Sequence, residues 1–143
     1  MADTVAIKYV YPPNYDTTSP PSVGGSRRYV VNLTNMSDGT GESAVAKVDI
    51  STLRMPDNST PTSVAVEKIE YQIAGFTSVL LYFDHTSDVL IAALPPGSGC
   101  LDWTKSGGMI DNGSGGAGDI LLTTEGAAVE AAYTITLTVR PKA

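Results

Sequence analysis

Cysteine is nearly absent. Cys100 is the only one in 143 residues, so the chain can build neither an internal disulfide nor a cysteine-based metal cluster. Nothing beside Cys100 offers a base or a second thiol, and it reads as a small, semi-buried side chain. Histidine is as scarce. His85 alone cannot complete the three or four ligands of a zinc site, and a serine–histidine–acid mechanism would have to be assembled at that one place, although no G-x-S-x-G stands in the chain. Basic charge is thin as well: nine Lys and Arg against fifteen Asp and Glu give a net charge of −6. Apart from Arg27-Arg28 the cations are scattered and leave no footprint for a phosphate backbone, so nucleic acid is not an expected partner. No apolar stretch approaches membrane-spanning length, and Met1-Ala2-Asp3-Thr4 has no basic segment leading into an apolar run. No membrane partner is expected, and the chain should be made and kept in a reducing cytoplasm until it joins whatever it serves.

Other chemical signals are also missing. No Gly is followed by Lys, and the glycine-rich stretch does not open a helix, so no phosphate loop is present. Asp111 to Asp119 carries oxygen side chains on flexible backbone, yet it fits neither the G-G-x-G-x-D repeat nor the EF-hand spacing of a calcium loop. The fifteen scattered acids single out no glycosidase pair. Asn-x-Ser/Thr triplets at Asn32, Asn35, Asn58 and Asn112 read as turn chemistry. No cofactor or metal is expected, and the expectation is a protein that is not an enzyme.

What is present is β-structure. Phe76 to Leu94, FTSVLLYFDHTSDVLIAAL, is the most apolar stretch and reads as a hairpin: Val79 to Phe83, a polar stop at Asp84-His85-Thr86-Ser87, then Val89 to Leu94 closed by Pro95-Pro96-Gly97. Neither run alternates cleanly, so both faces of this ribbon are apolar and both want cover. A sandwich covers one face. The other is left for the chain's own glycine-rich segment or for another molecule. His85 reads as an exposed turn residue beside Asp84 and Asp88.

Around the hairpin the chain alternates apolar and polar. Asp3 to Tyr11 sets Val5, Ile7 and Tyr9 on one face; Arg27 to Thr34 sets Tyr29, Val31 and Leu33 opposite Arg28, Val30 and Asn32. Ser43 to Leu53 places Ala44, Ala46, Val48 and Ile50 inward and Lys47 and Asp49 outward. Ser63 to Ile73 opposes Ile69, Tyr71 and Ile73 to Lys68, Glu70 and Gln72. The clearest alternation comes last: Tyr133, Ile135, Leu137 and Val139 face one way, and Thr134, Thr136, Thr138 and Arg140 the other. Between these runs lie a Pro-rich arm or loop at 11–26 and a glycine-rich loop at 95–118, pinned by Leu101, Trp103, Met109 and Ile110. About eight strands, no helix and long excursions predict one all-β domain over 1–143, an antiparallel β-sandwich of jelly-roll type.

The run YFDHTSDVLIAALPPGSG, the loop LDWTKSGGMIDNGSGGAGDILLTT and the ending AAYTITLTVRPK together resemble small β-rich virion proteins of tailed bacteriophages, the capsid decoration or cement proteins. The resemblance implies a non-enzymatic structural protein that docks on the outer surface of a phage capsid and stabilises contacts between major capsid subunits. Its partners would be the major capsid protein, with self-association as a further expectation, and its place the virion. Tyr11, Tyr15, Arg27 and Arg28 in the arm and Trp103 in the loop are the expected contact residues. The alternative is a carbohydrate-binding jelly roll of a phage head, collar or tail, stacking sugars on Trp103 and the tyrosines.

Overall fold

The computed structural model describes residues 3–11, 28–50, 53, 55, 59–85, 88–110 and 116–142. These form nine strands: β1 (Thr4–Tyr11), β2 (Tyr29–Asp38), β3 (Val45–Val48), β4 (Ser63–Ala74), β5 (Ser78–His85), β6 (Val89–Leu94), β7 (Gly97–Asp102), β8 (Gly116–Glu125) and β9 (Val129–Lys142), with a 3-10 turn at Thr104–Ser106. They make two sheets, of order β1-β2-β9-β4-β7 and β3-β8-β5-β6. Every pairing is antiparallel. The pairs β2·β9, β3·β8, β4·β7 and β5·β6 are nested, so β2 to β9 behave as one long folded ribbon rolled upon itself. That winding is the jelly roll. β1 is added outside it, at the β2 edge.

The strongest alternations make the middle of the larger sheet. Tyr29, Val31 and Leu33 from β2, Ile135, Leu137 and Val139 from β9 and Val64, Val66 and Ile69 from β4 are all buried. They meet Val79, Leu81 and Phe83 of β5 and Ile120 and Leu122 of β8 from the smaller sheet, in one continuous core. Each large aliphatic or aromatic side chain removed from water here contributes about 1.5–3 kcal/mol. Tyr9 and Tyr29 close the β1 end edge to face, their ring centroids 6.0 Å apart. The larger sheet overhangs the smaller one there. Val5 and Ile7 lie on the core-facing side, paired with Asn35 and Leu33, yet stay 44% and 45% exposed.

Four sequence expectations change. Gly97 to Asp102, read as part of the glycine-rich loop, is strand β7 on the edge of β4. Glycine serves that strand because the Tyr71 ring lies across it: a Cβ at position 99 would stand 2.6 Å from the Tyr71 hydroxyl. Ser43 to Leu53 yields only β3 among its described residues, and Ala46 and Lys47 exchange the faces read for them, while Val48 is buried and Asp49 exposed as read. A bulge between Ala46 and Val48 turns Lys47 inward and leaves Ala46 exposed. His85 is the last residue of β5, buried on its inner face, and its backbone N–H donates to Asp88 Oδ1 at 3.0 Å. Cys100, read as semi-buried, is exposed on β7. The arm residues 12–26, with Tyr15, and Arg27 beside them lie outside the described residues.

Candidate functional site: an apolar sheet face and a buried ionic cluster

The two outer faces of the sandwich differ in chemistry. On the smaller sheet, register places Leu90, Tyr82, Leu121 and Ala46 in one row across all four strands, and Ala93, Leu80 and Thr123 in the next. At the usual strand spacing the row spans about 14 Å. Leu121 is buried by its neighbours on this outward side, Leu80 and Tyr82 are half-buried, and Leu90 is 50% exposed. On the larger sheet the outward rows read Ala6-Thr34-Thr134-Gln72-Ser98 and Lys8-Asn32-Thr136-Glu70-Cys100. Thr136 Oγ1 donates to Asn32 Oδ1 at 3.1 Å within that face. One side of the molecule is therefore greasy and the other is a hydroxyl- and amide-rich plane suited to water.

The glycine-rich segment does not cover the apolar face with its described residues 103–110. They fold onto the other sheet. The Trp103 N–H donates to the Glu67 carbonyl at 2.8 Å, Met109 and Val66 exchange backbone hydrogen bonds of 2.9 and 2.7 Å, and Arg140 Nη2 donates to the Gly107 carbonyl at 2.8 Å. Trp103 is half-buried and packed against the core, so it pins this loop. Arg28 is engaged within the chain as well, its Nε at 2.6 Å and Nη2 at 3.4 Å from the two Glu67 carboxylate oxygens. Glu67 sits in the β4 bulge between Val66 and Lys68. Of the expected contact residues, then, Arg28 and Trp103 meet around Glu67 in a brace between β2, β4 and the loop, while Tyr11 ends β1.

The second feature is one the sequence did not disclose. Lys47 is 3% exposed, and its Nζ lies 2.5 Å from Glu42 Oε2. Glu42 Oε1 accepts from Asn35 Nδ2 at 2.7 Å and from the Tyr133 hydroxyl at 2.5 Å. Asn35 Nδ2 donates also to Asp3 Oδ2 at 3.0 Å. Asp3 Oδ1 in turn accepts from Ser37 Oγ and from the backbone N–H groups of Gly41 and Asp38. Burial raises the Asp3 carboxyl, but these donors outweigh it and hold the group below its ordinary 3.8. Burial and then the bond to Glu42 push the Tyr133 phenol above its ordinary range. Asn35, 3% exposed, keeps a buried Oδ1 with no hydrogen-bond partner among the described residues. No sequence spacing signals this cluster, because it draws on β2, the connection after it, the β3 bulge, β9 and the residue before β1.

At the opposite end of β8, Asp119 accepts from the Ile50 N–H at 3.0 Å. Burial raises its carboxyl against that bond, with Asp49 and Asp84 nearby adding to the rise. Among the described residues no group of three or more His, Cys, Asp or Glu is arranged to hold a metal ion, and no helix is long and apolar enough to cross a membrane. In comparison with known proteins, no family model, curated protein or solved structure matches the chain.

Proposed function

We propose that this chain is a non-enzymatic structural protein of a bacteriophage virion, seated on the outer surface of the capsid and reinforcing contacts between major capsid subunits. The observation that supports the reading is the contrast between its two outer faces. The Leu90-Tyr82-Leu121-Ala46 row would lie against the shell, and the threonine-rich plane of the larger sheet would meet solvent. This moves the contact surface away from Arg28 and Trp103, which serve the fold, and onto the β5·β6 hairpin singled out in the sequence; Tyr11, Tyr15 and Arg27 remain proposed contacts on the sequence reading alone. Many copies on a symmetric shell make a modest apolar patch adequate, since each copy stabilises only the assembled state and the effects accumulate. The bacteriophage setting comes from the resemblance in the second half of the chain.

Quantitative mass spectrometry of purified source particles tests this. A copy number near a simple fraction of the major capsid subunits is expected, and absence from particles overturns the proposal. Leu90→Asp should leave the fold intact and abolish rebinding to stripped shells. The carbohydrate-binding alternative has less support: Trp103 is committed to the core, and the open depression of about 410 Å³ edged by Gln72, Ser98 and Thr134 offers no exposed ring for stacking.

A further inference from the structure

We propose that Lys47 and Asn35 become joined by an intramolecular amide bond, with Glu42 carrying the protons, so that the two sheets of the sandwich are covalently stapled. The inference does not depend on the proposed function. Three observations carry it. First, a buried amine and a buried amide ride on one buried carboxylate: Lys47 Nζ is 2.5 Å from Oε2 and Asn35 Nδ2 is 2.7 Å from Oε1 of Glu42. The bond needs Nζ to pass from Glu42 Oε2 to the Asn35 amide that Oε1 of the same carboxylate holds. Second, the amide is held by its nitrogen alone. Both Nδ2 hydrogens go to carboxylates, Asp3 Oδ2 and Glu42 Oε1, while Oδ1 is buried and without a partner among the described residues. Buried polar atoms in folded proteins are rarely left so. Third, Tyr133 is paired with Asn35 across β2 and β9, and its hydroxyl donates to Glu42 Oε1, the oxygen that Asn35 Nδ2 also reaches, which fixes the carboxylate beside the amide.

The chemistry closes without any co-reactant. The Lys47 ammonium passes one proton to Glu42 Oε2 and becomes a neutral amine, a transfer that a dry site favours because it removes two buried charges. Nζ attacks Asn35 Cγ, its lone pair forming the C–N bond while the carbonyl π pair moves to Oδ1. The carbonyl re-forms as the bond from Cγ to Nδ2 breaks, and the proton on Glu42 goes to Nδ2. The second Nζ proton follows, so the leaving group departs as ammonium. Asp3 and Glu42, already bound to Nδ2, stand where positive charge develops on it. The product is a secondary amide between β2 in one sheet and β3 in the other.

Loss of ammonia lowers the mass by about 17 Da, and the cationic lysine becomes neutral. Intact mass spectrometry of the folded wild-type chain should show that deficit, and Glu42→Gln and Lys47→Met should each show the full mass of their own sequences. The site must be mapped, because ring closure at Asn112-Gly113 loses the same mass. Cyanogen bromide cleaves after Met36, between the two partners, so a linked chain keeps residues up to 36 attached to the fragment 37–55, and an unlinked chain releases them separately. Folded wild-type protein of full mass overturns the proposal, as does a deficit that persists in Lys47→Met or fragments that separate at Met36. A deficit of about 18 Da, the loss of water, overturns it too by assigning the bond to a carboxylate.

Discussion

Glu42→Ala measures how much of the fold rests on the ionic cluster. The change strands the Lys47 ammonium, whose side chain is 1% exposed, and removes the acceptor of Asn35 Nδ2 and of the Tyr133 hydroxyl. Breaking a buried ion pair from one side costs about 3–5 kcal/mol, and a buried donor deprived of its acceptor costs about 1–3 kcal/mol. Asn35 retains Asp3, so only the tyrosine pays that penalty in full, and the expected loss is about 4–8 kcal/mol. A domain of this size holds about 5–15 kcal/mol in all, which puts the variant near the edge of folding. In urea, with a slope of about 2–3 kcal/mol per molar, the midpoint should fall by about 2–3 M. If wild type carries the Lys47–Asn35 bond, the variant also loses a link closing a loop of about a dozen residues, worth about 3 kcal/mol more on chain-entropy grounds. Glu42→Gln, which keeps an acceptor for Asn35 and Tyr133 but no charge for Lys47, should fall between. A Glu42→Ala midpoint within about 0.5 M of wild type at unchanged slope, roughly 1 kcal/mol, would refute the reasoning, because it would mean that the ammonium reaches water.

Other outcomes follow from particular residues. Gly118 has φ +90°, and a Cβ there would stand 2.5 Å from the Thr62 carbonyl oxygen, so Gly118→Ala should lower the melting temperature by several degrees, about 2 kcal/mol or more. Asp119 is raised above 3.8, chiefly by burial; its ionisation at neutral pH works against the folded state, and Asp119→Asn, which keeps an acceptor for Ile50, should stabilise the protein at pH 7. That gain should shrink as pH falls through the folded-state value and vanish below 3.8. Asp3 has the opposite sign. Its carboxyl is held below 3.8, so its contribution is present above that pH and is lost as pH falls through the folded value, and Asp3→Ala should flatten the acid limb of a stability–pH curve. Leu90→Asp, on an exposed side chain, should change stability by less than about 0.5 kcal/mol while raising solubility in a concentration series.

Much of the larger sheet was legible because its strands alternate cleanly: the inward sets of β2 and β9, and of β4 from Ile69 onward, are those that a period of two selects, while the bulge between Val66 and Lys68 shifts the first half of β4 out of phase. β7 was hidden because Gly97, Ser98, Gly99 and Cys100 carry no apolar pattern, and pairing with β4 supplies what the side chains do not. Lys47 was misplaced for a related reason. A bulge shifts phase by one residue, and nothing in Val45-Ala46-Lys47-Val48 announces it. His85 was taken for turn chemistry because the polar stop after Phe83 looks like the end of the strand, whereas β5 continues for two more residues. The apolar face was visible in outline as a hairpin lacking alternation, but its opposite, the threonine plane, needed the register of five strands to assemble.

The nested pairing of the ribbon also governs how the chain reaches its fold. β9 lies between β2 and β4, and the Thr136–Asn32 hydrogen bond joins residues 104 apart in sequence. Local hairpin β5·β6 can form within microseconds, but each outer pair must close a longer loop before its contacts reward it, so folding in milliseconds to seconds is expected. During synthesis the middle of the larger sheet stays split until residues 129–142 have emerged, and β2 and β4 meanwhile each present an open apolar edge. Such a chain is most prone to aggregate just before β9 is made, and a truncation that removes β9 would hold it in that condition.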